Sequence, residues 1–338
     1  MEIRTRDYKL DALKMFLMVS VIFGHIPLLD GFLDLYLPNE YDFLTMQTMK
    51  GIYAFHMPLF VLISGYFTKK QPLATQFKKS LRLLRLFIIF QIIDIFIRYI
   101  FIQEVLTLGH CLYPCFALWY LLCLFYWRML VSIIPQKLNP KWIIAISFLI
   151  SIAVGFTKIN GFMGLHRFFS FMPYFMIGHY YGKSLLQFIE NKYITILSFV
   201  YTNISTYLWK ILVIFSFFVL MGLASLNPHW LDCMIQPYES LKVLIIRIAY
   251  LCYSLLLCYF LVYIFNLKHN WNKNTLSKFG RDTLFFYLLH PYILYVMTIL
   301  IGGAEETVNI FDSILITAFT VAVLVFMEKV KVIHLLIK

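Results

Sequence analysis

The sequence predicts an all-α membrane protein, a polytopic bundle of about ten transmembrane helices with both termini in the cytoplasm. Three observations predict it. Of the 338 residues 61% are hydrophobic and only 14% charged, with a mean hydropathy of +0.79, whereas soluble domains are about half apolar and about a quarter charged. Ten apolar segments recur along the chain, most of them close to the roughly 20 residues that a helix needs to cross a bilayer. The loops between them alternate in charge, which is the pattern of a chain passing back and forth. One membrane domain over residues 1–338 is expected, because there is no internal repeat, low-complexity tract or linker.

The first segment, 10–29, follows Arg4, Arg6 and Lys9 and has the outline of a signal peptide. Asp11 and Lys14 interrupt its apolar run, it ends at Gly24-His25-Ile26-Pro27 without a small-x-small cleavage site, and further spans follow. It therefore reads as an uncleaved first span. Segment 52–68 contains Pro58, Ser64 and Gly65, which let a helix bend and approach its neighbour closely. Segment 81–102 opens on Arg82 and Arg85, and 115–134 holds Trp119 and Tyr120. Segments 142–157, 207–226, 241–265 and 311–328 qualify by apolar length, 168–189 carries Phe171 to Gly178, and 283–302 carries Tyr287 to Pro291. Stretch 190–206 is too polar and short to assign.

Lys and Arg in short loops accumulate on the cytoplasmic side. They mark the N-terminus, the loop after 52–68 (Lys69, Lys70, Lys78, Lys79), the loop after 115–134 (Arg128, Lys137, Lys141), the loop after 241–265 (Lys268, Lys273, Lys278, Arg281) and the tail (Lys329, Lys331, Lys338). Loops 30–51, 103–114, 227–240 and 303–310 carry acids such as Asp30, Asp34, Glu104, Asp232, Glu305 and Glu306, and face outward. The aromatic, acidic loop 30–51 with Pro38 could border a substrate mouth. One loop breaks the alternation: Lys158 and Arg167 lie where the exterior is expected. The net charge of +12 implies anionic lipid headgroups and one cytoplasmic anionic ligand as partners, and no nucleic acid, because the basic residues never form an aromatic-interleaved face. The six cysteines show no metal spacing; packing is their expected role, with external pairing among Cys111, Cys115 and Cys233 the alternative.

Lys14 and His25 are eleven positions apart in the first span, which returns them to within about 20° of one helix face and separates them by about 16 Å. Ionisable groups inside a membrane are costly and mark function. A neutral histidine can take a proton from a hydroxyl, so the pair could flank a channel. The bland readings are a lysine reaching the inner headgroups and a histidine hydrogen-bonded in the outer interface. His56 falls at His25's depth on the next span, as an acid/base or orienting partner or as a packing residue. Arg82 and Arg85, three residues apart, share a face at the cytoplasmic surface and could grip a phosphorylated donor, or serve as interfacial anchors. His290 precedes a proline in mid-span. No metal is implied, since no histidine and carboxylate cluster has ligand spacing.

The order of these pieces resembles the acyltransferase-3 family of integral membrane O-acyltransferases across nearly the whole chain. The pieces are D-x-L-K with a basic residue and histidine eleven apart (Asp11, Lys14, His25), F-H-M-P-L-F-x-x-x-S-G-Y (Phe55 to Tyr66), R-x-x-R (Arg82, Arg85), L-W-Y (Leu118 to Tyr120), F-x-P-Y-F-x-x-G (Phe171 to Gly178) and Y-L-L-H-P (Tyr287 to Pro291). The resemblance implies transfer of an acyl group, commonly acetyl, from cytoplasmic acetyl-CoA to a hydroxyl of a glycan or envelope polymer at the cell membrane. It implies a catalytic His25, and a donor contact by the R-x-x-R pair. Many members have arginine where this chain has Lys14, which keeps the charge but loses the planar fork. Some relatives append an SGNH hydrolase-like domain; its absence here leads us to expect acceptor handling within the membrane core or by glycan-biosynthesis partner proteins.

The expected mechanism has acetyl-CoA held by Lys14, Arg82 and Arg85, His25 as general base or acyl carrier, and His56 or His290 orienting it or stabilising the oxyanion. A transporter or flippase for an anionic glycan or lipid is the alternative from another class, though the inverted repeats common in transporters are not evident. A non-catalytic binding or sensing module is a third.

Overall fold

The computed structural model describes residues 7–26, 41–101, 107–159, 161–203, 206–227, 232–267, 271, 274–301 and 308–330. Loop 27–40, Glu104, Lys268, Lys273, residues 302–307 and the tail from 331 lie outside the described residues, as do the expectations that rest on them. Among the described residues the regular structure is helical, apart from an isolated bridge between Tyr41 and Val308.

Helix α1 runs Tyr8–His25 and starts where the Asp7 side chain accepts from the Leu10 amide at 3.0 Å, satisfying one of the donors a helix start leaves open. It is apolar all round, with Leu10, Leu13, Leu17, Met18 and Ile22 fully buried, as befits a helix enclosed by others. Helix α3 (His56–Phe67) is the expected second span 52–68, while α2 (Phe43–Tyr53) is a helix where the end of an outer loop, 30–51, is expected, and the chain breaks between the two. The division follows from Pro58, whose ring would collide with the carbonyl four residues earlier, at Ala54, in an unbroken helix; in the first turn of α3 it is tolerated.

Helix α4 is Leu73–Phe101 and α5 the short Leu108–Leu112. A single 3-10 turn, Phe116–Leu118, leads into α6 (Trp119–Ile133), and α7 is Pro140–Ala153. Helix α8, Leu165–Asn203, is 39 residues long, about 58 Å at 1.5 Å per residue. It absorbs the unassigned stretch up to 203. Then come α9 (Thr206–Ser225), α10 (Leu241–Asn266), α11 (Thr275–Phe279), α12 (Thr283–Ile301) and α13 (Ile310–Val330).

Helix α1 packs against α2, α3, α10, α11, α12 and α13 and is the centre of the bundle. Helices α3 and α8 make the most extensive contact, because Gly65 and Gly178 let their backbones meet: a Cβ on Gly178 would overlap the Leu62 carbonyl, and one on Gly65 the Phe175 carbonyl. Small residues have this use in membrane bundles. At one end of the bundle Lys9 reaches Glu190 and, at 2.7 Å, Asn266, tying α1 to α8 and α10. His25 lies at the other end of α1. Four helical stretches, Phe116–Ile133, Leu208–Ser225, Leu241–Asn266 and Ile310–Val330, are long and apolar enough to cross a membrane among the described residues. Their outward faces carry Phe215, Phe218, Ile245, Phe311, Leu315 and Phe319 in the open, a surface suited to lipid and not to water. None of the six cysteines forms a disulfide among the described residues.

Candidate functional site

His25 is the last residue of α1, partly exposed, with Tyr41 donating from its hydroxyl to the next carbonyl, Ile26, at 3.2 Å. Its Nδ1 lies 2.9 Å from Nε2 of His290. His290 is fully buried on α12, and its own Nδ1 is 3.1 Å from the Phe286 carbonyl. A carbonyl only accepts, so in the neutral ring the proton of His290 is on Nδ1 and its Nε2 is an acceptor. His25 must then donate from Nδ1, which leaves its Nε2 with an unshared lone pair. Pro291, lacking an amide hydrogen, weakens the helix hydrogen bonding one step away, at Tyr287. No carboxylate hydrogen-bonds either ring among the described residues.

His56 is buried near this pair, but its Nδ1 is 2.9 Å from the Ile52 carbonyl. That carbonyl also accepts from the Phe55 amide at 3.1 Å at the break between α2 and α3, so the His56 ring is an added donor that packs onto the end of α2. Tyr53 packs edge-on to it at 4.6 Å. The structure thus joins His25 to His290 and places His56 within electrostatic range of His25, without a hydrogen bond between them.

The other motifs of the sequence converge on the same place. Phe116 packs edge-on against His25 at 4.4 Å, and holds a left-handed φ of 41°, a strained conformation for a bulky residue. Gln91 of α4 braces the segment before it, donating to the His110 and Tyr113 carbonyls at 2.7 and 2.9 Å and accepting from the Cys115 amide at 2.9 Å. Tyr287 donates to the Ala117 carbonyl, and its ring meets Tyr120 at 5.5 Å and His290 at 6.0 Å. The Tyr120 hydroxyl is 2.5 Å from Ser64 Oγ. Trp119 stacks on Phe171 at 5.5 Å.

Arg167 is the residue that the reading of the sequence missed. Its guanidinium lies over the Trp119 ring at 5.3 Å, and its charge is near enough to bear on His25. It makes no ion pair among the described residues. The signal was present: Arg167 was one of the two basic residues that broke the loop alternation, and its place inside the bundle explains its half of that exception. Lys158 carries no such role here.

Lys14, Arg82 and Arg85 are not part of this cluster. Lys14 pairs with Asp11 at 2.8 Å and lies over Phe67 at 5.4 Å. Arg82 and Arg85 are exposed on α4, where with Lys78 they line an open groove between Leu81 and Ile89; α4 packs chiefly on α6. An apolar cavity of about 210 Å³ lies between α1, α3, α8 and α10, lined by Leu10, Leu62, Tyr66, Ile177 and Cys258 among others. Among the described residues no group of three or more His, Cys, Asp and Glu side chains is gathered where a metal could sit.

No curated protein and no solved structure matches the chain. The family model described as an acyltransferase domain, Acyl_transf_3, matches residues 7–328, nearly the whole length, and with it this helical membrane protein belongs to the acyltransferase-3 family.

Proposed function

We propose that this protein is a multi-pass enzyme of the cell membrane that moves an acyl group, acetyl in the first instance, from cytoplasmic acyl-CoA to a hydroxyl of an extracytoplasmic glycan or envelope polymer. The observation that carries the reading is the His25–His290 pair, a polarised base at one end of the central helix. Ten crossings with both termini in the cytoplasm fit the charged loops, and set His25 towards the outer side, where an acceptor arrives.

In the proposed reaction the acceptor hydroxyl approaches Nε2 of His25. As its oxygen attacks the thioester carbonyl carbon, its proton passes to Nε2, and the carbonyl π pair moves onto oxygen. Collapse of the tetrahedral species breaks the carbon–sulfur bond, and the imidazolium returns the proton to the departing thiolate. His290 holds the His25 ring in the tautomer that presents the lone pair and shares the charge when that ring is protonated, as the orienting member of a catalytic triad does. A direct transfer suits this arrangement, since one lone pair serves as base throughout.

Lys14, Arg82 and Arg85 are proposed to receive the CoA phosphates, supported by their basic character and by the groove that Lys78, Arg82 and Arg85 line. Mass spectrometry of envelope glycans from cells with the protein, without it and with His25→Ala tests the reading. O-acyl groups are expected only with the wild type. Equal acylation in all three contradicts it.

A further inference from the structure

Acyl transfer builds negative charge on the carbonyl oxygen, and a preorganised donor aimed at that oxygen is usually the largest single contribution to the rate. The histidines do not supply it. His290 spends its Nδ1–H on Phe286 and its Nε2 on His25, His56 spends its N–H on Ile52, and the N–H of His25 goes to His290. Two of the nearby tyrosines are also engaged, Tyr287 donating to Ala117 and Tyr120 sharing a short hydrogen bond with Ser64; Tyr53, against His56, is set apart by the test below. Arg247, fully buried, donates to Ser170 and lies against Tyr238 at 5.5 Å; its Nε and Nη1 have no hydrogen-bond partner among the described residues, but its charge is not among those that bear on His25, whereas that of Arg167 is.

Arg167 remains. Its position is built from the same turn that touches His25: Phe116 lies on the His25 ring, and Trp119, one helical turn later, is the platform under the guanidinium. Stacking on Trp119 orients the planar fork and leaves its edge N–H groups for an oxygen. An arginine half-buried in an apolar bundle with no ionic partner among the described residues is costly, and function is the ordinary reason to keep one. We propose that Arg167 is a catalytic residue whose guanidinium donates to the carbonyl oxygen of the acyl thioester and stabilises the oxyanion formed when the acceptor attacks. This rests on the acyl-transfer reading above.

The test uses membrane vesicles from the protein's own cells, in which wild type, Arg167→Gln, Arg167→Lys, Tyr53→Phe and His25→Ala replace one another, supplied with radiolabelled acetyl-CoA over a range of concentrations. Protein level and thermal stability are measured for each, and free CoA release is followed beside incorporated label. Arg167→Gln is expected to lower the maximal rate about 10²- to 10³-fold with the KM for acetyl-CoA within twofold, Arg167→Lys to fall between it and wild type, and Tyr53→Phe to stay near wild type. A maximal rate within threefold of wild type in a folded Arg167→Gln overturns the assignment, as does a raised KM at unchanged rate, or a Tyr53→Phe loss equal to that of Arg167→Gln. A wild type that cleaves no acetyl-CoA, or a His25→Ala that matches it, overturns the acyl-transfer reading itself.

Discussion

Both nitrogens of His290 are committed before any substrate enters, one to its own helix and one to His25. Its effect therefore passes through His25. His290→Ala should lower the maximal rate by about 10²-fold or more, as loss of a group supporting general base catalysis does, leave the KM for acetyl-CoA unchanged, and recover in part with added imidazole. His56→Ala should act differently: it removes one donor from the Ile52 carbonyl while the Phe55 amide remains, so a loss of about 1 kcal/mol of stability, seen as a lower unfolding temperature, is expected with a smaller change in rate per folded molecule. Periodicity marked His25 only as a costly polar residue on one face with Lys14, and the ordered motifs made it the expected catalytic one. Its partner was not legible, because the choice between His56 and His290 depends on a helix break that captures the His56 ring. Arg167 was visible only as a charge in the wrong loop, since nothing in a linear sequence shows that Trp119 lies beneath it.

At the scale of elements, hydropathy located each apolar segment but not its ends. The window closed at 189 because Lys183, Glu190, Asn191 and Lys192 are polar, whereas a helix continues as long as its backbone hydrogen bonds do, and α8 runs on to Asn203. The second span, expected over 52–68, is α3, but the preceding stretch expected as loop holds α2, broken from α3 for the steric reason that Pro58 supplies. The approach of α3 to its neighbour through Gly65 was anticipated, while its partner Gly178 on α8 was known only as the end of a motif. Gly178→Leu would drive a side chain into the Leu62 backbone. The resulting overpacking, about 1–3 kcal/mol or more, should reduce folded protein recovered in detergent; recovery and unfolding temperature equal to wild type would show that the helices can separate at no cost.

For the whole molecule, the helical class and the membrane setting follow from composition, while the ten crossings are proposed from the apolar segments and their orientation is proposed from loop charge. A sided labelling experiment addresses the latter. In a variant with the native cysteines replaced by serine, a cysteine at Lys69 should react with an impermeant maleimide only in inverted vesicles, and one at Glu239 only in right-side-out vesicles; the reverse pattern would invert the topology. The central claim is that His25, oriented by His290, transfers an acyl group from a cytoplasmic thioester to an outer hydroxyl. Its most direct measurement offers labelled acetyl-CoA to the cytoplasmic face of sealed vesicles and reads label on envelope material at the opposite face. Label is predicted to appear there with wild type and to vanish with His25→Ala at equal protein level. Equal transfer by that variant would contradict the account.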